Sequence, residues 1–283
     1  MANTGVIFDG TFEGFLTIVY KRYYEKLMPR EIGLAGALQQ TLGTDYVNVE
    51  TDENMARKVT DGINAKLGGV IFGQAYMAFV NWDPSRYIHI FNYILLCFKY
   101  GAVAAGLTHV DCVIKTLHYA RNSGHELQLL RGFTRFGETE SGIMYADISP
   151  KNDLLPMLAD FFSERFMGAK WVLHDVGRAK AAVYDGADWI MTDAPAAAAK
   201  IDKAEKEDEY RDLWTVFYNT LAIKERTNPR QQRQMKPMFM RKYMTEHRHI
   251  DPRLNPKNAQ PPAASSGGME LENLITSEDG GDA

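Results

Sequence analysis

The sequence predicts an α+β protein: a mostly helical N-terminal part, a small central antiparallel ββαββ sheet unit and a helical, basic C-terminal part. Three observations predict it. Apolar residues recur at spacings of three and four through most of the first 122 positions. From Glu126 onward, alternation at every second residue takes over. After Glu207, an amphipathic stretch gives way to a run of basic residues. These textures divide the chain into a helical part over 1–122, an α+β unit over 123–193, a basic helical part over 194–252 and an acidic tail over 253–283.

In chain order, Val6–Phe8 reads as a short strand closed by Asp9-Gly10. Thr11 then caps a helix with apolar positions at Phe12, Phe15, Leu16, Val19, Tyr20 and Tyr23, which Pro29 ends. Leu34–Gln40 is ambiguous, and Tyr46–Val49 reads as another strand. Thr51 is expected to cap a helix running to about Leu67, with Asp52 and Glu53 favouring its N-terminus. Helical spacing continues over Val70–Val80, Tyr87–Tyr100 and Val103–Asn122, and Asp83-Pro84 makes a good helix start. Alternation then predicts strands over Glu126–Phe136 and Ile143–Ile148, an amphipathic helix over Pro156–Phe166, and strands over Trp171–Asp175 and Ala181–Tyr184. Short turns between neighbouring strands make an antiparallel sheet the expectation. Ala194–Lys206 reads as a linker or exposed helix start, Glu207–Arg226 as an amphipathic helix, and 230–248 as a basic helix or helix pair. Beyond Asp251-Pro252 the Pro, Ala, Ser, Gly and acidic composition predicts disorder.

Composition excludes several classes. With a net charge of −4, nucleic-acid binding has to rest on local charge. Two cysteines, Cys97 and Cys112, exclude a disulfide framework and any metal site needing three or four thiolates, so no metal or cofactor is expected. The most apolar stretch, Tyr87–Phe98, is too short to span a bilayer, and no secretory signal is visible, which predicts a cytoplasmic protein without a membrane partner. No GxxxxGK[ST], GxGxxG or GxSxG pattern occurs.

The local charge lies between Lys224 and Arg253, where nine basic residues face three acids and Met235, Phe239, Met240 and Tyr243 fall between them. Clustered cations bind phosphates and aromatic rings stack on bases, so Arg226, Arg230 and Arg233 are candidate nucleic-acid contacts. A solvated helix face whose apolar residues dock on the core is the competing explanation. On a strand, Arg131 and Arg135 share one face and make a candidate phosphate grip, with Arg178 as a third cation. Tyr145 is a candidate for base stacking and Asn152 for ligand contact. His174 is the candidate acid/base, because an imidazole exchanges protons near neutral pH. Asp175, its neighbour, points to the opposite strand face and cannot simply orient it.

Taken together, Val6–Leu16, Val49–Glu53, Leu130–Phe136, Tyr145–Pro156, Trp171–Gly186 and Leu213–Thr245 resemble the "probable DNA metabolism protein" family, also described as domain of unknown function 4130. Its recurrent positions include Arg131, Phe133, Tyr145, His174, Asp175, Arg178, Arg226 and Arg233 of this chain. Phe161-Phe162 departs from the His-Phe expected there. The resemblance implies a DNA repair or modification setting, with a radical SAM protein encoded nearby and, in some members, a fused uracil-DNA glycosylase-like domain. This chain lacks the CxxxCxxC of a radical SAM cluster and resembles the stand-alone form. No catalytic residue is carried over by the resemblance.

The sequence therefore points to an accessory protein of DNA repair or modification that binds DNA, single-stranded DNA included, and works with a radical SAM partner. Two alternatives accompany it. One is an enzyme acting on a modified base or nucleotide, with His174 as acid/base and Asp175 or Asn152 as substrate ligand. The other is a protein-interaction scaffold whose basic stripe meets an acidic partner.

Overall fold

The computed structural model describes residues 3–38, 44–138, 142–193, 238–241 and 243–244. The α+β prediction holds, with the sheet content divided in two.

The first sheet has three parallel strands in the order β2-β1-β3: β1 (Asn3–Phe8), β2 (Pro29–Leu34) and β3 (Thr44–Asn48). It is larger than the strand pair predicted, because Pro29 opens a third strand, β2; the preceding helix, expected to run to Pro29, already stops at Tyr24. Val6 and Phe8 of the central strand are buried. They meet helix α1 (Phe12–Tyr24), whose N-terminus is capped by Thr11 as predicted, its hydroxyl accepting from the Gly14 amide at 2.9 Å. Helix α2 (Glu53–Lys66) is capped by Asp52, whose carboxylate accepts from the Met55 amide. Thr51, the predicted cap, instead donates to Asp9 at 2.7 Å and ties the end of β3 to the β1–α1 turn.

Helices α3 (Gly69–Phe79), α4 (Arg86–Tyr100) and α5 (Asp111–Phe133) complete the N-terminal layer. Gly101, at φ +81°, stops α4 in a backbone region that favours glycine, and a 3₁₀ turn over Ala102–Gly106 follows. The predicted Val103–Asn122 helix thus starts eight residues later than expected. Helix α5 also corrects the sequence reading at its other end. Glu126–Phe136 is not a strand: residues up to Phe133 are helical, and the buried positions Ser123, Glu126, Leu127 and Leu130 follow a spacing of three and four. Two polar side chains on that inward stripe, Ser123 and Glu126, break its apolar signal.

The second sheet has the order β4-β5-β6-β7-β8, formed by β4 (Gly137–Glu138), β5 (Met144–Ile148), β6 (Trp171–Asp175), β7 (Lys180–Tyr184) and β8 (Trp189–Asp193). It is mixed, not antiparallel throughout. Strands β5 and β6 run parallel, because helix α6 (Leu155–Arg165) carries the chain back between them, while the other neighbours pair antiparallel. Strand β8 extends the unit beyond the four strands predicted. Leu158 and Phe162 of α6 pack with Trp171 and Ala146 in one hydrophobic cluster that also contains β1, α1 and α3–α5. The opposite sheet face carries a small separate cluster of Val172 and Ala181 with Ile143, Tyr145 and Val183.

Among the described residues no helix is long and apolar enough to cross a membrane.

Candidate functional site at the ends of the parallel strands

Alternation on β5 sends Ala146 and Ile148 into the main core and leaves Tyr145 and Asp147 half-buried on the other face. Register on the parallel neighbour sets Asp147 opposite His174. The three side chains converge. Tyr145 Oη donates to Asp147 Oδ1 at 2.5 Å, and His174 Nδ1 lies 2.9 Å from both Asp147 Oδ1 and Tyr145 Oη. A carboxylate only accepts, so in the neutral tautomer Asp147 holds the proton on Nδ1 and leaves the Nε2 lone pair to accept. Among the described residues Nε2 has no hydrogen-bond partner. Burial, then the Asp147 hydrogen bond and charge, push the Tyr145 phenol well above its ordinary range.

Asp147 also lines an open, shallow cleft of about 10 Å³, room for little more than one water molecule. Its walls come from the end of α5 (Leu130, Phe133, Thr134), the end of β5 (Ile148, Ser149), and Met240 and Tyr243. The cleft therefore sits beyond the carboxyl ends of a parallel strand pair, where open α/β sheets bind ligands. Met240 is buried, anchoring the short helical turn Met238–Arg241, and so is Met244 just beyond it. That agrees with core docking of the apolar residues in the basic stripe, and it brings an aromatic from that stripe to the cleft.

The other predicted site residues are distributed around this centre. Asp175 faces away from His174, is fully buried, and accepts from the Gly177 and Arg178 amides. Arg178 donates to Asp175 Oδ2 at 3.0 Å, to the Pro150 carbonyl at 3.1 Å and to the Lys151 carbonyl at 2.6 Å. Asn152 is buried: its amide side chain donates to Glu126 at 2.6 Å and accepts from the Trp82 amide at 3.0 Å. These three residues spend their polar atoms holding the loop that follows Ser149.

Arg131 and Arg135 do not share a sheet face, since Arg131 lies in the last turn of α5 and Arg135 just beyond it. The Arg131 guanidinium stacks 4.9 Å from the Phe161 ring, and its buried Nε has no hydrogen-bond partner. Arg135 donates to the Gly132 carbonyl at 3.0 Å, in the manner of a basic side chain at a helix C-terminus. Arg226, Arg230 and Arg233 lie outside the described residues. Among the described residues no three His, Cys, Asp or Glu side chains converge to hold a metal ion.

Asp147 and Glu126 escaped the sequence reading. Asp147 had a usable signal, because a strand puts it on the Tyr145 face. Glu126 had none once its segment was read as a strand.

The Tyr145 hydroxyl offers a test of this geometry. An unfolded tyrosine ionises near pH 10, and the raised folded value makes the native state hold the proton longer. Stability from this group is therefore complete below about pH 10 and is lost as pH rises through the folded value. Tyr145→Phe should lower stability at neutral pH and flatten the loss above pH 10, as read by alkaline unfolding. An unchanged alkaline slope would contradict the buried Tyr145–Asp147 contact.

A family model, that of the domain of unknown function DUF4130, matches residues 84–246, more than half of the chain. No curated protein and no solved structure matches the sequence. The match takes in α4, α5, the whole second sheet and the anchored C-terminal turn, and with them every residue of the cleft.

Proposed function

The chain belongs to the DUF4130 family, and we propose that it is a nucleic-acid-binding protein of DNA repair or modification. On this reading it works beside a radical SAM partner and seats a nucleotide over the shallow cleft lined by Asp147, the hydrogen-bond partner of His174. The observation that carries the reading is that Met240 and Tyr243, from the most basic stretch of the chain, line the same cleft as Asp147. Two aromatic residues, Phe133 and Tyr243, line the cleft together with the Asp147 carboxylate, a combination that suits a flat heterocycle with polar edges. Cations of the same stretch, Arg226, Arg230 and Arg233, supply phosphate contacts. The radical SAM partner rests on the family resemblance alone.

The test is fluorescence anisotropy of labelled single- and double-stranded DNA with wild type and with Arg230→Ala plus Arg233→Ala. Removing two phosphate contacts should weaken binding and reduce the slope of log K against log salt by about 1.4 on single strands and about 1.8 on duplex. Wild-type affinity and slope in the double variant would overturn the assignment of these arginines.

A second reading is favoured by the free Nε2 of His174. An imidazole oriented by a carboxylate is a general base or acid, so the same cleft suits chemistry on a modified base.

A further inference from the structure

A second concavity lies on the opposite architectural half, between α1, α2 and the end of α4. It has a volume of about 210 Å³ and is lined by Tyr20, Tyr23, Tyr24, Lys58, Lys66 and Phe98, among others. Its chemistry is unlike that of a solvated helix face. Tyr20 and Tyr24 stack with ring centroids 4.2 Å apart and an interplanar angle of 19°. Tyr24 is 73% exposed, so one ring face rests on Tyr20 and the other is open to a ligand. Tyr23 is 49% exposed and packs edge-on against Phe98. Lys58 sits 5.7 Å from the Tyr20 ring centroid, and among the described residues neither Lys58 nor Lys66 makes an ion pair. The two lysines are eight residues apart on α2, about 12 Å along its axis.

Cations without an ion-pair partner, along a groove that presents the open face of Tyr24, match a ligand that is both planar and polyanionic. We infer that this groove binds a segment of single-stranded DNA, with a base stacked on Tyr24 and the backbone phosphates neutralised by Lys58 and Lys66. Single strands are selected because duplex bases already stack on each other and present no free face. An acidic protein segment would satisfy the lysines but leave the open face of Tyr24 unused. The inference rests on the nucleic-acid reading above and adds a second contact, on the helical half of the molecule, that would hold the strand leading to or from the cleft.

The test uses the full chain and an oligothymidylate carrying 5-iodouracil. Photocrosslinking followed by peptide mapping should mark the peptide containing Tyr23 and Tyr24. In anisotropy, Tyr24→Ala should weaken single-strand binding about five- to tenfold without weakening duplex binding. Lys66→Ala should reduce the single-strand salt slope by about 0.7. Both side chains are at the surface, so an unchanged melting temperature is expected and separates binding loss from unfolding. Single-strand binding that survives both substitutions, with crosslinks only near Tyr145 or Tyr243, would overturn this inference and leave the cleft reading standing. Loss of a protein partner in Tyr24→Ala with DNA affinity unchanged would overturn it in favour of a protein face. No DNA binding by wild type at low salt would overturn both.

Discussion

Glu126→Ala is expected to destabilise the protein by about 3–5 kcal/mol, read as a fall in the unfolding midpoint in urea at unchanged slope. Glu126 is 7% exposed and faces the loop between β5 and α6. Its two oxygens accept from the Lys151 amide at 2.9 Å, the Asn152 amide at 3.0 Å and the Asn152 side chain at 2.6 Å. Truncation removes the acceptor of all three. An unsatisfied buried donor costs about 1–3 kcal/mol, and water can reach only the outermost of the set. The effect should spread to the cleft, because Ser149 lines it and the loop begins there. A variant as stable as wild type would show that the loop is held by Arg178 alone.

The second large effect concerns chemistry. If the cleft turns over a modified nucleotide, His174→Ala should reduce the single-turnover rate by about 10²–10⁴-fold while DNA affinity stays within about twofold of wild type. Asp147→Asn should move in the same direction. An amide can donate as well as accept, so it no longer fixes the proton on Nδ1 and the Nε2 lone pair is no longer guaranteed. The measurement is a panel of base-modified oligonucleotides incubated with wild type and each variant. Conversion at the wild-type rate by His174→Ala would eliminate the acid/base role. An equal loss of binding and rate would make His174 a ligand contact instead.

Much of the architecture was legible because its periodicity was clean. The start of helix α1 with its Thr11 cap, helix α6 led by Pro156, and strands β6 and β7 all lie within one or two residues of the sequence expectation. The failures trace to particular side chains. Ser123 and Glu126 interrupt the inward stripe of α5, and the leftover alternation of Leu127 with Leu129 reads as a strand. The phosphate grip assigned to Arg131 and Arg135 failed with that strand. Parallel pairing of β5 and β6 was missed because α6 was treated as an ordinary connector, when a helix between two strands of one sheet is what permits parallel pairing.

Site residues show the same divide. Strand alternation correctly set His174 and Asp175 on opposite faces, and Asp175 indeed serves the turn to Arg178 while His174 meets Asp147. What alternation within one strand cannot give is the neighbour across the sheet. The partner of His174 is Asp147, 27 residues away in sequence, and only the β5–β6 register reveals it. Asn152 and Arg178 looked like ligand contacts because polar residues near a predicted site invite that reading. Their hydrogen bonds instead go to the fold, to Glu126 and to two loop carbonyls.

The central claim is the proposal that this chain engages nucleic acid through its basic, aromatic C-terminal stretch beside the Asp147 cleft. The most direct measurement is equilibrium binding of wild type to a short labelled single strand across a salt series. Neutralisation of three or more phosphates predicts a slope of log K against log salt of about −2 or steeper. Binding that is absent at low salt, or that does not weaken as salt rises, would contradict the account and turn attention to a protein partner for the same surface.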